Sequence, residues 1–285
     1  MAALFKKIGL AITFSPTGKA LLKEAKRLSE LFGSKIVFIH VGERNKDRER
    51  KLAELIINAG FADSTFVLEW AKGDVAGAII KKCKEMEIDL LIAGALEKEK
   101  FVRYFFGSVA RKLMRETPCS LLIYLSPAKS PISLKRFCVS VDYTKRNRET
   151  IKIAHQFALL DKAKEFILVR DLYSPELVIK VRNASSTEEA EKIRTEWEKE
   201  EHKRMNTFVG ELNLKGININ LVTIFSKKSF ETNRYVEAMR ADIFVITSPE
   251  EKPKLMDRVF LSNLEYTFKQ LPCSVLISNI DTDHS

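Results

Sequence analysis

Gly107-Ser108 is the pair in this chain best suited to hold a ligand. It precedes Val109, Leu113 and Met114, apolar positions at helical spacing, and so opens a helix that must end before Pro118. The first amides of a helix have no partner within it, and the helix dipole makes that end positive, which suits a phosphate. Glycine lets backbone approach a phosphate with no Cβ in the way, and the Ser108 hydroxyl can add a hydrogen bond. The same pair also reads as a plain helix N-cap. Ser15-Pro16-Thr17-Gly18-Lys19 looks faintly like a phosphate loop but lacks the spacing, and it fits better as a turn capping a helix.

Catalytic chemistry is not visible. His40, His155, His202 and His284 show no metal-ligand spacing, and His40 ends an apolar run, as a satisfied core or rim histidine would. Cys83, Cys119, Cys138 and Cys273 form no C-x-x-C pair and read as buried, reduced thiols of a cytoplasmic protein. There is no G-x-S-x-G elbow, no G-x-x-x-x-G-K-[ST] loop, and neither an S-G-G-x-D-S nor a HIGH-type motif. The expectation is a protein with no catalytic residue and no metal. Slow ATP hydrolysis is the weakest of the functions left open, for want of a general base or ligand set.

The elements that must position Gly107-Ser108 come in two copies. Glu116-Thr117-Pro118-Cys119-Ser120-Leu121-Leu122-Ile123 recurs as Gln270-Leu271-Pro272-Cys273-Ser274-Val275-Leu276-Ile277. Lys6–Thr13 recurs as Lys135–Asp142, and Ile88–Gly94 as Ala241–Thr247. Near-continuous apolar runs predict strands over Lys7–Thr13, Lys35–Val41, Phe66–Trp70, Asp89–Gly94 and Leu121–Leu125 in the first copy. In the second they fall at Phe137–Asp142, Phe166–Arg170, Ile219–Phe225, Asp242–Thr247 and Val275–Ser278. Helical patterns alternate with the strands, which predicts an α/β fold with doubly wound parallel sheets. The link between copies is the short loop Ser126-Pro127-Ala128-Lys129-Ser130-Pro131, giving units at 1–128 and 132–280. The second copy carries an insertion. Ser186-Thr187-Glu188-Glu189 reads as a capping box, followed by a long charged helix with Ile193, Trp197, Met205, Phe208 and Leu212 as its apolar positions. That helix is either an ordinary surface helix on the sheet or a partner-docking or lid element.

Composition agrees with two globular units: 285 residues, 45% hydrophobic and 30% charged. No apolar run approaches the roughly 20 residues of a membrane span. The N-terminus runs directly into a strand, so no signal peptide is expected. Of the net charge of +10, most lies in the first copy, which biases that half toward an anionic partner, although a solvated basic surface looks the same. No basic cluster is interleaved with aromatics as in a nucleic-acid module, and Arg111, Lys112 and Arg115 read as a solvated helix face.

The residues resemble the universal stress protein family, in its tandem form. That family's fingerprint is a fourth strand ending in G-x-x-G, then nine residues, then G-[ST] opening a helix. Here Gly94 ends the fourth strand, Glu97 holds the second glycine's place, and nine residues later come Gly107-Ser108. Gly73-Asp74, Ile39-His40-Val41 and Thr117-Pro118-Cys119 also look like the family. The resemblance implies two five-stranded, Rossmann-like domains of the adenine nucleotide α-hydrolase-like kind, associated through their fifth strands as a pseudo-dimer. It places the winding reversal between the first and fourth strands, where ligands of open parallel sheets bind.

By the same resemblance, ATP or a related adenine nucleotide is expected in domain 1, at Thr13, Val41, Gly94, Gly107, Ser108 and Val109. The departures are that Thr13 lacks the carboxylate of ATP-binding members and that Glu97 brings a charge, which Lys98, Lys100 and Arg103 can offset. In domain 2, Asp142 has the acid. There, however, Ser248-Pro249-Glu250-Glu251-Lys252-Pro253 and Leu261-Ser262 contain no glycine, and two prolines remove donors, so no nucleotide is expected. The expected function is a cytoplasmic, nucleotide-responsive regulator that meets an unknown protein partner and can form a homodimer. The alternative is a scaffold that binds no nucleotide and acts through protein contacts.

Overall fold

The structure is a computed structural model. It describes residues 3–62, 66–95, 108–172, 174–225, 230–249 and 271–280. The first copy runs β1 (Lys7–Ala11), α1 (Pro16–Phe32), β2 (Lys35–Val41), α2 (Lys46–Asn58), β3 (Phe66–Ala71), α3 (Val75–Glu85), β4 (Leu90–Gly94), α4 (Ser108–Glu116) and β5 (Ser120–Tyr124). The second runs β6 (Arg136–Ser140), α5 (Lys145–Leu160), β7 (Glu165–Leu172), α6 (Pro175–Arg182), α7 (Thr187–Gly210), β8 (Ile219–Phe225), α8 (Phe230–Ala238), β9 (Ile243–Thr247) and β10 (Ser274–Ser278).

The strands form one sheet in the order β3-β2-β1-β4-β5-β10-β9-β6-β7-β8. Every neighbouring pair is parallel except β5 and β10, which run antiparallel with Leu122 opposite Leu276. The two five-stranded units therefore meet through their fifth strands as an internal pseudo-dimer, as expected. Because both faces are covered, each strand alternates between two apolar layers. One layer runs from Leu10, Phe38 and Ile92 through Leu122 to Phe137, Phe157 and Val139; the other runs from Ile39, Leu91 and Ala93 through Ile123 to Cys138, Phe244 and Val275.

The repeat extends to individual hydrogen bonds. Asp89 Oδ2 accepts from the amides of Lys6 and Lys7 at 2.6 and 2.9 Å, and Asp242 Oδ2 accepts from those of Lys135 and Arg136 at the same distances. At the joint, the Asn279 amide donates to Ser120 Oγ at 3.1 Å, and the Leu125 amide donates to Ser274 Oγ at 3.3 Å. These bonds satisfy backbone donors at strand ends that the ladder leaves open.

Two strands end earlier than their apolar runs suggest. After Ile12 and Val141 donate a last bond to Ile39 O and Val169 O, both at 2.9 Å, the chain turns into helix caps. Thr13 and Asp142 thus lie in turns, not in strands. The inserted helix α7 is present. The Glu189 amide donates to Ser186 Oγ at 3.1 Å, but the Glu189 carboxylate accepts from Ser185, so only half of the expected capping box forms. Its later turns pack Met205 and Phe208 into the core, while Ile193 and Trp197 are half-buried. The ordinary packed-helix expectation therefore holds for its C-terminal part. Among the described residues no helix is long and apolar enough to cross a membrane.

Candidate functional site

The winding reverses between β1 and β4, because the chain leaves β1 toward β2 and β3 on one side and returns to β4 and β5 on the other. Their register, Leu10 opposite Ile92, brings Thr13 and Gly94 to neighbouring strand ends. Ser15 caps α1: its Oγ accepts from the Gly18 amide at 3.1 Å and shares a 2.8 Å hydrogen bond with Thr13 Oγ1. The Ser15-Pro16-Thr17-Gly18-Lys19 stretch is thus the helix-capping turn its composition suggests. Gly18 is required there, since a Cβ would lie 2.3 Å from the Thr13 carbonyl oxygen. A Cβ on Gly94 would lie 2.8 Å from Leu21 Cδ1, so this glycine lets α1 close over the end of β4.

Of the other expected ligand residues, Val41 ends β2 opposite Ala71 and is half-buried. Ser108 is exposed at the start of α4, and Val109 behind it is half-buried. Gly107 lies outside the described residues, as do Glu97, Lys98, Lys100 and Arg103. One cation of the expected solvated face is engaged: Lys112 Nζ donates to Asp74 Oδ2 at 2.8 Å. Asp74 also caps α3 through the Gly77 amide at 2.9 Å, and Lys112, then that amide, holds its carboxyl below the usual range. This pair ties the start of α3 to the first turns of α4.

His40 is the rim histidine that its strand position suggests. Its Nδ1 sits 3.0 Å from the Ile12 carbonyl, which can only accept, so Nδ1 carries the proton. The ring contacts Phe14 and Trp70 edgewise, with centroids 5.3 and 4.6 Å away. The equivalent residue in the second unit is Arg170, whose Nη1 donates to the Val141 carbonyl at 3.0 Å, with Tyr143 in the place of Phe14.

At the second unit's reversal a buried side chain links the two strand ends. Asn147, in the third residue after the cap Thr144 just as Gly18 follows Ser15, is fully buried. Its Nδ2 donates to Ser140 O at 2.8 Å and to Thr247 Oγ1 at 2.9 Å, while its Oδ1 accepts from the Asp142 amide at 3.0 Å. It therefore bridges the ends of β6 and β9. Beside it, Arg146 donates to Pro249 O at 3.2 Å and to Asn279 Oδ1 at 2.9 Å. Asp142 is engaged locally, accepting from the Thr144 amide and hydroxyl at 2.9 and 2.7 Å, so it braces the cap residue of α5. The two residues equivalent to this Asn147–Thr247 bridge in the first unit are Gly18 and Gly94, neither of which has a polar side chain to form one. Sequence reasoning noticed Asp142 and the lost glycines but missed Asn147. The available signal was an amide side chain at the third helical position behind a Thr cap.

We expect Asn147→Ala to destabilise the chain by about 2 kcal/mol, because the Asp142 amide, the Ser140 carbonyl and the Thr247 hydroxyl lose their partner in a dry site. Urea unfolding of the variant beside the wild type reads this directly.

The thiols are ill-suited to nucleophilic work. All four cysteines are free and buried. Burial pushes Cys138 up to about 12, and a hydrogen bond with Cys83, then burial, raises Cys119. Among the described residues no group of three His, Cys, Asp or Glu could hold a metal ion.

Residues 42–124 match the model of the universal stress protein family. No curated protein matches the chain. A Pseudomonas aeruginosa UCBPP-PA14 protein described as a universal stress protein shares 17% identity, with a TM-score of 0.70, over 96% of this chain and 93% of its own. A universal stress protein from Archaeoglobus fulgidus shares 14%, with a TM-score of 0.66, over 95% and 98%. The cytoplasmic domain of a prokaryotic cation chloride cotransporter has the same overall arrangement at 9% identity and a TM-score of 0.51, over 98% and 96%.

Proposed function

From the premise that residues 42–124 belong to the universal stress protein family, we propose that this chain binds one ATP or a related adenine nucleotide in its first unit and uses it to regulate contacts with a protein partner. The carrying observation is the asymmetry of the two reversals. Asn147 bridges β6 and β9 in the second unit, whereas glycines stand at both equivalent positions in the first. The ligand sits beyond Thr13 and Gly94, with the base toward Val41 and the phosphates on the amides of Gly107, Ser108 and Val109, where the positive end of α4 offsets their charge. Thr13 offers a hydroxyl to the nucleoside in place of the carboxylate that ATP-binding members carry there. We read the nucleotide as a ligand that shifts partner contacts and not as a substrate. The protein works in the cytoplasm, where ATP and reduced thiols coexist.

Calorimetric titration with ATP is expected to give a stoichiometry close to one per chain, and Gly107→Val to abolish binding by placing two methyl groups against the phosphates. A stoichiometry that Gly107→Val leaves unchanged, or no heat at millimolar ATP together with no nucleotide in the purified protein, would reject the proposal. A second reading, a scaffold acting through protein contacts, is favoured by the exposed Val178 and Ile179 on α6 beside the half-buried Trp197. It requires that Gly107→Val leave partner binding intact while changes near Trp197 remove it.

A further inference from the structure

An open groove of about 470 Å³ lies in the second unit, between the β6–α5 turn and α7. Its basic residues are Arg148, Lys203 and Arg204, and its acids are Glu200 and Glu211. We propose that this groove binds a small phosphate-bearing molecule through Arg148, Lys203 and Arg204.

The arginines are held ready by aromatic rings. The Arg204 guanidinium lies 4.6 Å from the centroid of Tyr143, and that of Arg148 lies 4.5 Å from the centroid of Phe208. Stacking uses the face of a guanidinium and leaves its N–H edge free, in the planar fork that matches phosphate oxygens. The rings themselves are fixed. The Tyr143 hydroxyl donates to Glu201 Oε1 at 2.6 Å, Tyr143 holds a left-handed backbone at φ 66°, and Phe208 is buried in the core. Cations already immobilised this way lose little further freedom when a ligand arrives.

The charge balance points to an anion. Arg170, beneath the groove, is neutralised by Glu201 at 3.2 Å, and Arg148 shares one nitrogen with Glu211 at 2.6 Å. Lys203 and Arg204 have no salt-bridge partner among the described residues, while Glu200 is the one lining carboxylate left to set against them. A phosphate has three oxygens to engage three cationic groups, where a carboxylate has two. The volume is in the range of small-molecule sites, roughly 300–1,000 Å³.

Pyrophosphate titrated by calorimetry into the full chain at low salt is expected to bind, and to weaken as salt rises. Arg204→Ala and Lys203→Ala should each weaken it about tenfold, the loss of one charge-assisted hydrogen bond. Arg204→Lys, which keeps the charge without the fork, should fall between wild type and Arg204→Ala. Gly107→Val should leave this binding intact, which separates it from any binding in the first unit. Unchanged binding in the two alanine variants, loss in Gly107→Val instead, or no binding at millimolar pyrophosphate would overturn the groove assignment. Loss in Gly107→Val would place the anion in the first unit, whereas the other outcomes leave ATP there untouched, and the separate ATP titration reads it.

Discussion

Arg27→Ala is expected to lower the stability of the whole chain by about 3–5 kcal/mol, the usual result of removing one partner from a buried ion-pair network. Arg27, on α1 of the first unit, donates through Nη1 to Asp161 Oδ1 at 2.6 Å and through Nε to Glu24 Oε2 at 3.2 Å. Asp161 caps α5 of the second unit and accepts from the Leu134 amide at 2.8 Å, and the Tyr124 hydroxyl donates to Glu24 Oε2 at 3.1 Å. Both carboxylates are almost wholly buried, with side chains 5% and 3% exposed. Without the guanidinium they face each other across the joint with no counter-charge. Urea unfolding at neutral pH, followed by circular dichroism, measures the loss; a change under 1 kcal/mol would mean that the network is not formed as described.

Glu24 also gives this joint a pH dependence of definite sign. Burial raises its carboxyl above the usual value, against the pull of Arg27. The folded state therefore binds this proton more readily than the unfolded state. Its contribution is fully present below the unfolded carboxylate value and is lost as pH rises through the raised folded value. Glu24→Gln, which keeps an acceptor for Tyr124, should remove that part of the pH profile.

Phe157→Ala is expected to cost about 3–5 kcal/mol as well, through lost burial and an unfilled cavity. Phe157 is fully buried on α5, and its ring meets Phe32 of the first unit at 4.9 Å and Phe137 of the second at 5.2 Å, both edgewise. Because it fills space between the units, the variant should unfold at lower urea with both halves still in one transition if the shared sheet holds them together. If instead the midpoint stays at the wild-type value, the ring does not bridge the two halves.

Much of the architecture was legible before any coordinates. The strands showed as apolar runs, and the two Pro-Cys-Ser segments marked the fifth strands that now lie side by side. The early ends of β1 and β6 were not legible, since Ile12 and Val141 are as apolar as the strands they follow, and only the cap chemistry of Ser15 and Thr144 stops the ladder. Of the expected site residues, Val41 and Gly94 end strands of the first unit's sheet, Thr13 lies in the turn after β1 and Ser108 starts α4, while Gly107 lies outside the described residues. Lys112 does lie on an exposed face, but its pairing with Asp74 was not legible because the two are 38 residues apart.

Periodicity is a local property, so the chain's own order of residues determined the alternation of strands and helices, the duplication, and the likeness of residues 42–124 to one family. Which strand ends a side-chain amide bridges, which arginine joins the units, and which cations stack on rings were decided only by the folded chain. Asn147 meets Thr247 across 100 residues, and Arg27 meets Asp161 across 134. Hydrogen bonds and ion pairs of that kind depend on distances of a few tenths of an ångström, and no spacing along a sequence encodes them.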